Sequence, residues 1–221
     1  ALAQGIVLSR VGPDRLFLTG HSMGGHGTWH LAANDPDCFA AIAPSAGWIS
    51  FDTYGKRPTG ALADLWQRAD GASRTLDLIS NLVDTPTYIL HGSADDNVPV
   101  GEARKIEQAL RDAYPREKRQ EVTLHVQEGA GHWWDGDASP GADCVDWPPI
   151  FELFRSTRRR LKPTRLDWTS VDPSVDSSHF WVDVAQPLEY GKTFKLRGDH
   201  PLVDDKHRDE RVEIATENIR R

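Results

Sequence analysis

One pentapeptide, Gly20-His21-Ser22-Met23-Gly24, constrains the fold more than any other part of the sequence. It follows residues 15–19, a short apolar stretch that predicts a buried strand. It leads into residues 24–34, where Trp29 and several small side chains predict a helix packed closely on a sheet. The turn between them is so sharp that a side chain at either glycine is expected to collide across it. The segment therefore predicts a strand, a tight turn and a helix, with Ser22 held in a strained conformation at the turn.

Strand and helix patterns alternate along the first part of the chain. Short apolar strands are predicted at 39–43 and 87–90, and residues 122–126 alternate apolar and polar side chains. Residues 101–113 repeat apolar side chains at spacings of three and four, and 147–160 form a second helical pattern that ends in basic residues, as a helix dipole favours. Strands alternating with helices predict an α/β fold with a parallel sheet and helices on both faces.

Two regions depart from this alternation. Residues 46–84 show no strand pattern and are expected to form an excursion over the sheet. Beyond residue 160 the helical pattern stops, and short strands are predicted at 180–184, 193–196 and 212–215. We therefore expect an α/β domain over 1–160, and a linker with a short β-rich appendage over 161–221.

Composition excludes several classes of protein. The net charge of -7 argues against nucleic acid or an anionic membrane surface as the main partner. The sequence contains no apolar run long enough for a membrane-spanning helix. Two cysteines, Cys38 and Cys144, exclude a disulfide framework and leave open one bridge or two thiols. The partners that remain are a small molecule, such as an ester or peptide substrate, or another polymer.

A serine hydroxyl becomes a nucleophile only with a base beside it and an acid that orients the base. The third predicted strand leads into 91–99, a polar turn that contains Asp95 and Asp96, and we prefer Asp95 as the acid. The fourth strand leads into a glycine-rich loop that contains His132, the predicted base. Ser22, Asp95 and His132 then follow three strand ends, and ligands bind at this edge of open α/β sheets.

These motifs carry a resemblance. From Pro13 to about Arg160, the sequence resembles the catalytic domain of the α/β-hydrolase superfamily, and in particular prolyl-oligopeptidase-like serine hydrolases. The residues that carry it are 14–25, His91-Gly92-Ser93-Ala94-Asp95 with Val98-Pro99, and Gly131-His132. Feruloyl-esterase-like and polyhydroxyalkanoate-depolymerase-like enzymes resemble the same pattern.

The resemblance implies a partial α/β-hydrolase fold and a mechanism. Residues 1–160 would be the carboxyl-terminal part of the domain, with an earlier strand and a second oxyanion donor upstream. Ser22 would attack a carbonyl, His132 would carry the proton, Asp95 would orient the imidazole, and the backbone N–H of Met23 would stabilise the oxyanion. The expected reaction is hydrolysis of a peptide or carboxylic ester bond without metal or organic cofactor. The alternatives are a carboxylesterase, or a fragment that is inactive without its amino-terminal half.

Other candidate residues have two interpretations each. Trp48, Trp133 and Trp134 are candidates for a substrate pocket wall, with core packing as the alternative. His21, His26 and His30 are rejected as metal ligands, because no cysteine or carboxylate cluster accompanies them. Asp135, Asp137, Asp143 and Asp146 lack the regular spacing of a calcium loop and are expected in a solvated loop. His91 opens the acid turn, and its packing role is preferred over contact with the triad.

Overall fold

The computed structural model describes residues 12–55, 58–113, 115, 120–136, 141–160, 165–190, 192–199 and 213–220. The chain divides into two compact units, Ala1–Arg159 and Arg160–Arg221. Two of the positions discussed above, Asp137 and Val212, lie outside the described residues.

The first unit contains a parallel sheet of four strands in the order β1-β2-β3-β4. The strands are β1 (Phe17–His21), β2 (Ala41–Ser45), β3 (Thr87–Gly92) and β4 (Val122–Gln127). The α-helices are α1 (Met23–Asn34), α2 (Ala63–Ala69), α3 (Gly101–Ala113), α4 (Asp143–Asp146) and α5 (Pro148–Ser156). The strands alternate with flanking helices, which confirms the predicted α/β fold class.

The centre of this sheet is covered by a helix on one face. Ala41, Ala43 and Leu90 form a fully buried cluster with Ile150, and Phe154 packs on them from α5. Alanines on the strand allow the helix to approach closely, and the large side chains of α5 fill the space above them. Every residue of β2 is buried, as expected for a central parallel strand with both faces covered.

The strand bounds differ from the predicted ones by one or two residues. The backbone N–H of Arg15 bonds to the carbonyl of Gly12, so a turn occupies the predicted start of β1. The strand instead runs to His21 and reaches the serine directly. The bounds of β2 lie two residues later than predicted for the same reason, because its pairing with β1 runs from Phe17↔Ala41 to His21↔Ser45.

The prediction of one helix over 147–160 was wrong at its end. The helix α5 begins at Pro148, whose missing N–H costs nothing at a first position, and ends at Ser156. Beyond it, the Arg158 guanidinium donates to the Asp14 carboxylate at 2.7 Å. The Arg159 backbone N–H donates to the Asp14 carbonyl at 2.9 Å. These two arginines therefore fasten the chain to the segment before β1 and do not belong to the helix terminus.

The excursion over 46–84 contains no strand among its described residues, as predicted. It holds α2 and three short 3-10 helices, Gly60–Leu62, Gly71–Ser73 and Thr75–Leu82. Leu78 and Leu82 of the last one are buried, so an apolar side anchors this segment to the unit.

The second unit is built from antiparallel strands. Its strands are β5 (Arg165–Ser170), β6 (Ser178–His179), β7 (Val182–Asp183), β8 (Phe194–Asp199) and β9 (Glu213–Glu217). β8 lies between β5 and β9 in one sheet, and β6 pairs with β7. The buried ring of Trp168 is at the centre of its core, at 5.2 Å from the ring of Phe194. The predicted β-rich character is confirmed, although β5 was not predicted. The strand predicted at 180–184 is instead the turn and second strand of a short hairpin formed by β6 and β7.

Candidate active site

Ser22 occupies the turn between β1 and α1 in a backbone conformation that few residues adopt. Its φ is 59° and its ψ is -116°, which is a left-handed φ for a residue with a side chain. The backbone N–H of Ser22 donates to the carbonyl of Ser45 at the end of β2. Strain of this kind persists only where the surroundings enforce it, and it clusters at functional sites.

The glycines around Ser22 have different roles. A Cβ on Gly20 would lie 2.5 Å from the carbonyl oxygen of Gly24, so Gly20 has no room for a side chain, as predicted. The expected collision at Gly24 was wrong, because a Cβ there would have no neighbour within 4 Å. The other crowded position is Gly25, where a Cβ would lie 2.3 Å from the carbonyl oxygen of Ser45. A Cβ on Gly24 would stand in open space, whereas one on Gly25 would meet the end of the neighbouring strand β2.

Asp95 follows β3 in a loop that closes around its carboxylate. One oxygen, Oδ1, accepts the backbone N–H groups of Asn97 at 2.9 Å and Val98 at 2.8 Å. The other, Oδ2, lies 2.8 Å from Nδ1 of His132. The Asp95 side chain is completely buried, whereas the neighbouring Asp96 is exposed. The loop therefore presents Asp95 to the histidine in a fixed orientation.

The loop that carries His132 packs directly against the Asp95 loop. A Cβ on Gly92 would lie 2.4 Å from the carbonyl oxygens of both Ala130 and Gly131, so only glycine permits this approach. The Ala94 backbone N–H donates to the Ala130 carbonyl at 2.8 Å. The two loops thus form one layer at the carboxyl ends of β3 and β4.

The three predicted residues meet in one continuous hydrogen-bonded line. Nε2 of His132 lies 2.9 Å from Oγ of Ser22, and its Nδ1 faces Asp95 at 2.8 Å. A carboxylate only accepts, so the Nδ1 proton is directed at Asp95 and Nε2 is left to accept the serine proton. His132 is buried, which keeps bulk water away from both bonds. This arrangement has the geometry of a general base beside a serine nucleophile.

Met23 is the first residue of α1. The N–H groups of a first helical turn lack intrahelical acceptors, and the helix dipole places partial positive charge there. The backbone N–H of Met23 is therefore a donor next to Ser22, whereas its side chain is exposed to solvent.

The three tryptophans lie in different surroundings. Trp133 is 66% exposed, and its ring lies 4.2 Å from that of His21 and 6.0 Å from that of His132. Trp134 packs on the buried cluster that contains Ile150 and Phe154 of α5, and its ring centroid lies 5.5 Å from that of Trp147. Of this pair, Trp133 is the one whose ring borders His132.

The third tryptophan, Trp48, is buried in a stack of rings. It lies between His26 and Tyr54, with ring centroids 4.7 Å away on each side. The Tyr54 hydroxyl donates to Oδ1 of Asn97 at 3.1 Å, which joins this stack to the Asp95 loop.

Two further histidines contact this hydrogen-bonded line of residues. The ring of His21 lies 4.9 Å from that of His132, and its Nδ1 is 2.9 Å from the Ser45 hydroxyl. Burial, with a smaller effect of His132, lowers the pKa of His21. His91 lies 3.3 Å from the Asp95 carboxylate, and burial lowers the pKa of His91 as well. His21 directly precedes Ser22 and His91 stands four positions before Asp95, but only the tertiary structure shows which way their rings turn.

The described cysteines and metal-ligating side chains suggest no second chemistry. Cys38 and Cys144 are thiols and are not bridged to each other, and burial raises the pKa of Cys144. Across the described ranges, no group of three or more His, Cys, Asp or Glu side chains is arranged to hold a metal ion. Nor does any helix in the part of the chain that the structure describes have the length and apolarity to cross a membrane.

The sequence is similar to several known proteins. It is 33% identical over 124 residues to an "Uncharacterized secreted protein" of Arthroderma benhamiae, over 54% of this chain and 13% of that protein. It is 31% identical over 153 residues to a "Putative carboxymethylenebutenolidase" of Escherichia coli O157:H7, over 66% of this chain and 49% of that protein. The match therefore spans about half the length of the bacterial relative and only 13% of the length of the fungal one.

Structural similarity and the family match agree with the fold described above. The structure of an acylaminoacyl peptidase from Pyrococcus horikoshii superposes with a TM-score of 0.52 at 19% identity, over 73% of this chain and 27% of that one. Residues 6–143, more than half of the chain, match the prolyl oligopeptidase family. The chain therefore belongs to the prolyl oligopeptidase family of serine hydrolases, within the α/β-hydrolase fold.

Proposed function

We propose that the protein hydrolyses a peptide or carboxylic ester bond through an acyl-enzyme formed on Ser22. The observation that carries this proposal is the hydrogen-bonded line from Asp95 through His132 to Ser22, with distances of 2.8 and 2.9 Å. Membership of the prolyl oligopeptidase family supports the same chemistry.

The acylation step follows from the positions of these atoms. Oγ of Ser22 forms a bond to the carbonyl carbon while its proton passes to Nε2 of His132. Asp95 stabilises the imidazolium that results, and the Met23 N–H stabilises the negative charge on the carbonyl oxygen. The bond to the alcohol or amine then breaks, and the leaving group takes the proton from His132.

Deacylation repeats these steps with water. His132 accepts a proton from a water molecule, which attacks the acyl carbon and displaces Ser22. The products are a carboxylic acid and the free serine, which regains its proton from His132. No group beyond water and the three side chains is needed to balance this cycle.

Both substrate classes pass through the same intermediate, and the relatives differ in the same way. The E. coli relative is named a "Putative carboxymethylenebutenolidase", and the Pyrococcus structure is that of an acylaminoacyl peptidase. We propose an enzyme that hydrolyses a peptide or carboxylic ester bond. The alternative within this chemistry is a carboxylesterase that acts on esters alone. A p-nitrophenyl ester and an aminoacyl anilide, assayed side by side with the full chain, would separate the two.

Covalent labelling tests the proposal directly. A fluorophosphonate probe reacts with activated serines, and peptide mapping of the labelled full chain is expected to place the probe on Ser22. Ser22→Ala should lose both labelling and turnover. Ser156→Ala is the matched control, because Ser156 caps the exposed end of α5 and should leave labelling unchanged. Persistent labelling in Ser22→Ala, or a native chain that neither reacts nor turns over either substrate, would refute the proposal.

A further inference from the structure

We infer that His91 is a positioning residue for the triad acid, holding closed the loop that presents Asp95 to His132. This inference rests on the proposed function and extends it to a residue that never meets the substrate. His91 lies on β3, and its side chain has no solvent exposure. It therefore acts on the triad only through the acid loop.

One nitrogen of His91 faces two oxygens of the loop. Nε2 lies 2.8 Å from the carbonyl oxygen of Val98 and 3.3 Å from Oδ2 of Asp95. Both oxygens only accept, so Nε2 carries the proton. Within the described residues, Nδ1 is buried and has no hydrogen-bond partner, and burial lowers the pKa of His91, so a neutral ring protonated on Nε2 fits both nitrogens.

Val98 is the residue that joins His91 to the acid. Its carbonyl accepts from His91, while its own N–H donates to Oδ1 of Asp95 at 2.8 Å. A single peptide segment is thus held at one side by the strand and at the other by the carboxylate. Val98 is completely buried, so a carbonyl that lost the histidine would have no water to replace it.

The strand that bears His91 makes this clamp rigid. β3 lies between β2 and β4, and His91 is in register with Val126 of β4. The oxygen that His91 approaches is the one that receives His132, since both contacts are to Oδ2 of Asp95. The N–H of His91 thus limits where that oxygen can lie, and small displacements of a catalytic group reduce the rate markedly.

The consequence is a selective effect on the chemical step. Removing the His91 donor should lower kcat about tenfold, the fold-change that corresponds to about 1.4 kcal/mol. KM should stay unchanged, because the ring has no path to the substrate. A replacement that keeps a donor at the Nε2 position should restore most of kcat.

Three variants of the full chain test this. His91→Leu removes the donor at similar volume, and His91→Gln places an amide nitrogen near the position of Nε2. His125→Leu is the matched control, because His125 is a histidine on the adjacent strand β4 that packs on Trp147 at 4.8 Å. The readouts are kcat and KM on a p-nitrophenyl ester and the downfield proton NMR signal of His132 Nδ1–H. If His91→Leu does not fold, His91→Asn replaces it, since its amide is too short to reach Val98.

The outcomes decide separately on the two proposals. A tenfold lower kcat with unchanged KM and a shifted Nδ1–H signal in His91→Leu, recovered in His91→Gln and absent in His125→Leu, would support the inference. Native kcat in His91→Leu, equal losses in the leucine and glutamine variants, or an equal loss in His125→Leu would overturn it. A native chain without labelling or turnover would instead refute the proposed function itself.

Discussion

The backbone N–H of Ser22 donates a 2.9 Å hydrogen bond to the carbonyl oxygen of Ser45. The last paired residues of β1 and β2 are His21 and Ser45, so this bond extends the contact between the two strands by one residue of the first strand. Ser22 is thus held by the end of the neighbouring strand as well as by its own turn. Gly25 packs on the same carbonyl, so the positions of the strand, the turn and the first helical turn depend on one another.

Substitutions at the adjacent glycines Gly24 and Gly25 should show that steric crowding, and not membership of the pentapeptide, decides which glycine tolerates a side chain. Gly25→Ala places a Cβ 2.3 Å from the Ser45 oxygen and should lower the free energy of unfolding by about 1–3 kcal/mol. Gly24→Ala, with no neighbour within 4 Å, should change it by less than about 0.5 kcal/mol. Urea denaturation of both variants measures the difference, and equal losses would contradict the geometry of the turn.

The two neighbouring aspartates of the acid loop should differ sharply in activity. Asp95→Asn removes the acceptor of the His132 Nδ1 proton and should lower kcat by about 10³- to 10⁴-fold, as expected when the imidazole takes the wrong tautomer. Asp96→Asn, at an exposed position, should stay near the native rate. Steady-state kinetics on an ester substrate tests this. A larger loss in Asp96→Asn would exchange the roles of the two residues.

Glu102 is expected to stabilise the excursion without acting in catalysis. Its buried carboxylate accepts the backbone N–H of Ile49 at 2.9 Å and the hydroxyl of Thr53 at 2.6 Å. Glu102→Gln weakens both bonds to the carboxylate and should lower the free energy of unfolding by about 1–3 kcal/mol. Glu107→Gln, on the same helix, removes only a surface pair with Arg111 and should cost less than about 1 kcal/mol. Thermal denaturation distinguishes them, and similar Tm changes would contradict the assignment.

Stability should fall on mild acidification. Burial is the main cause that lowers the pKa of His21, His26 and His91 below the usual 6.5. As the pH falls below about 6.5, the unfolded chain takes up protons that these buried rings refuse, so the free energy of unfolding decreases until their lower folded pKa values are reached. His26→Gln removes one contribution and should give a shallower decrease in Tm between pH 7 and pH 5. Parallel pH profiles for the native chain and this variant would contradict the linkage.

The sequence was informative wherever a local signal marked a strand end. Ser22 and His132 stand in glycine-rich loops after apolar stretches, so their placement followed from turn chemistry and the parallel arrangement. The missed strand β5 has buried Leu166 and Trp168 in alternation, but it comes directly after a basic, proline-containing stretch that we interpreted as linker. Its pairing with β8, nearly thirty positions away, is what fixes it as a strand.

The contacts between segments could not be predicted from local patterns. A serine at the end of β2 that bonds to His21, and a glutamate of α3 that holds the excursion, give no signal in their own neighbourhoods. The free space at Gly24 and the crowding at Gly25 depend on where a second strand ends. Such features arise from tertiary packing, which sequence periodicity does not encode.

The order of strands has a consequence for how the protein acquires its reactivity. The acid and base are 37 positions apart, and the base and nucleophile are 110 apart. Contacts of such long sequence separation form late, because chain closure must be completed before they gain any energy. A refolding chain should recover its helical signal first and its reactivity toward a fluorophosphonate last. Reactivity at Ser22 is therefore expected to report when the sheet is complete.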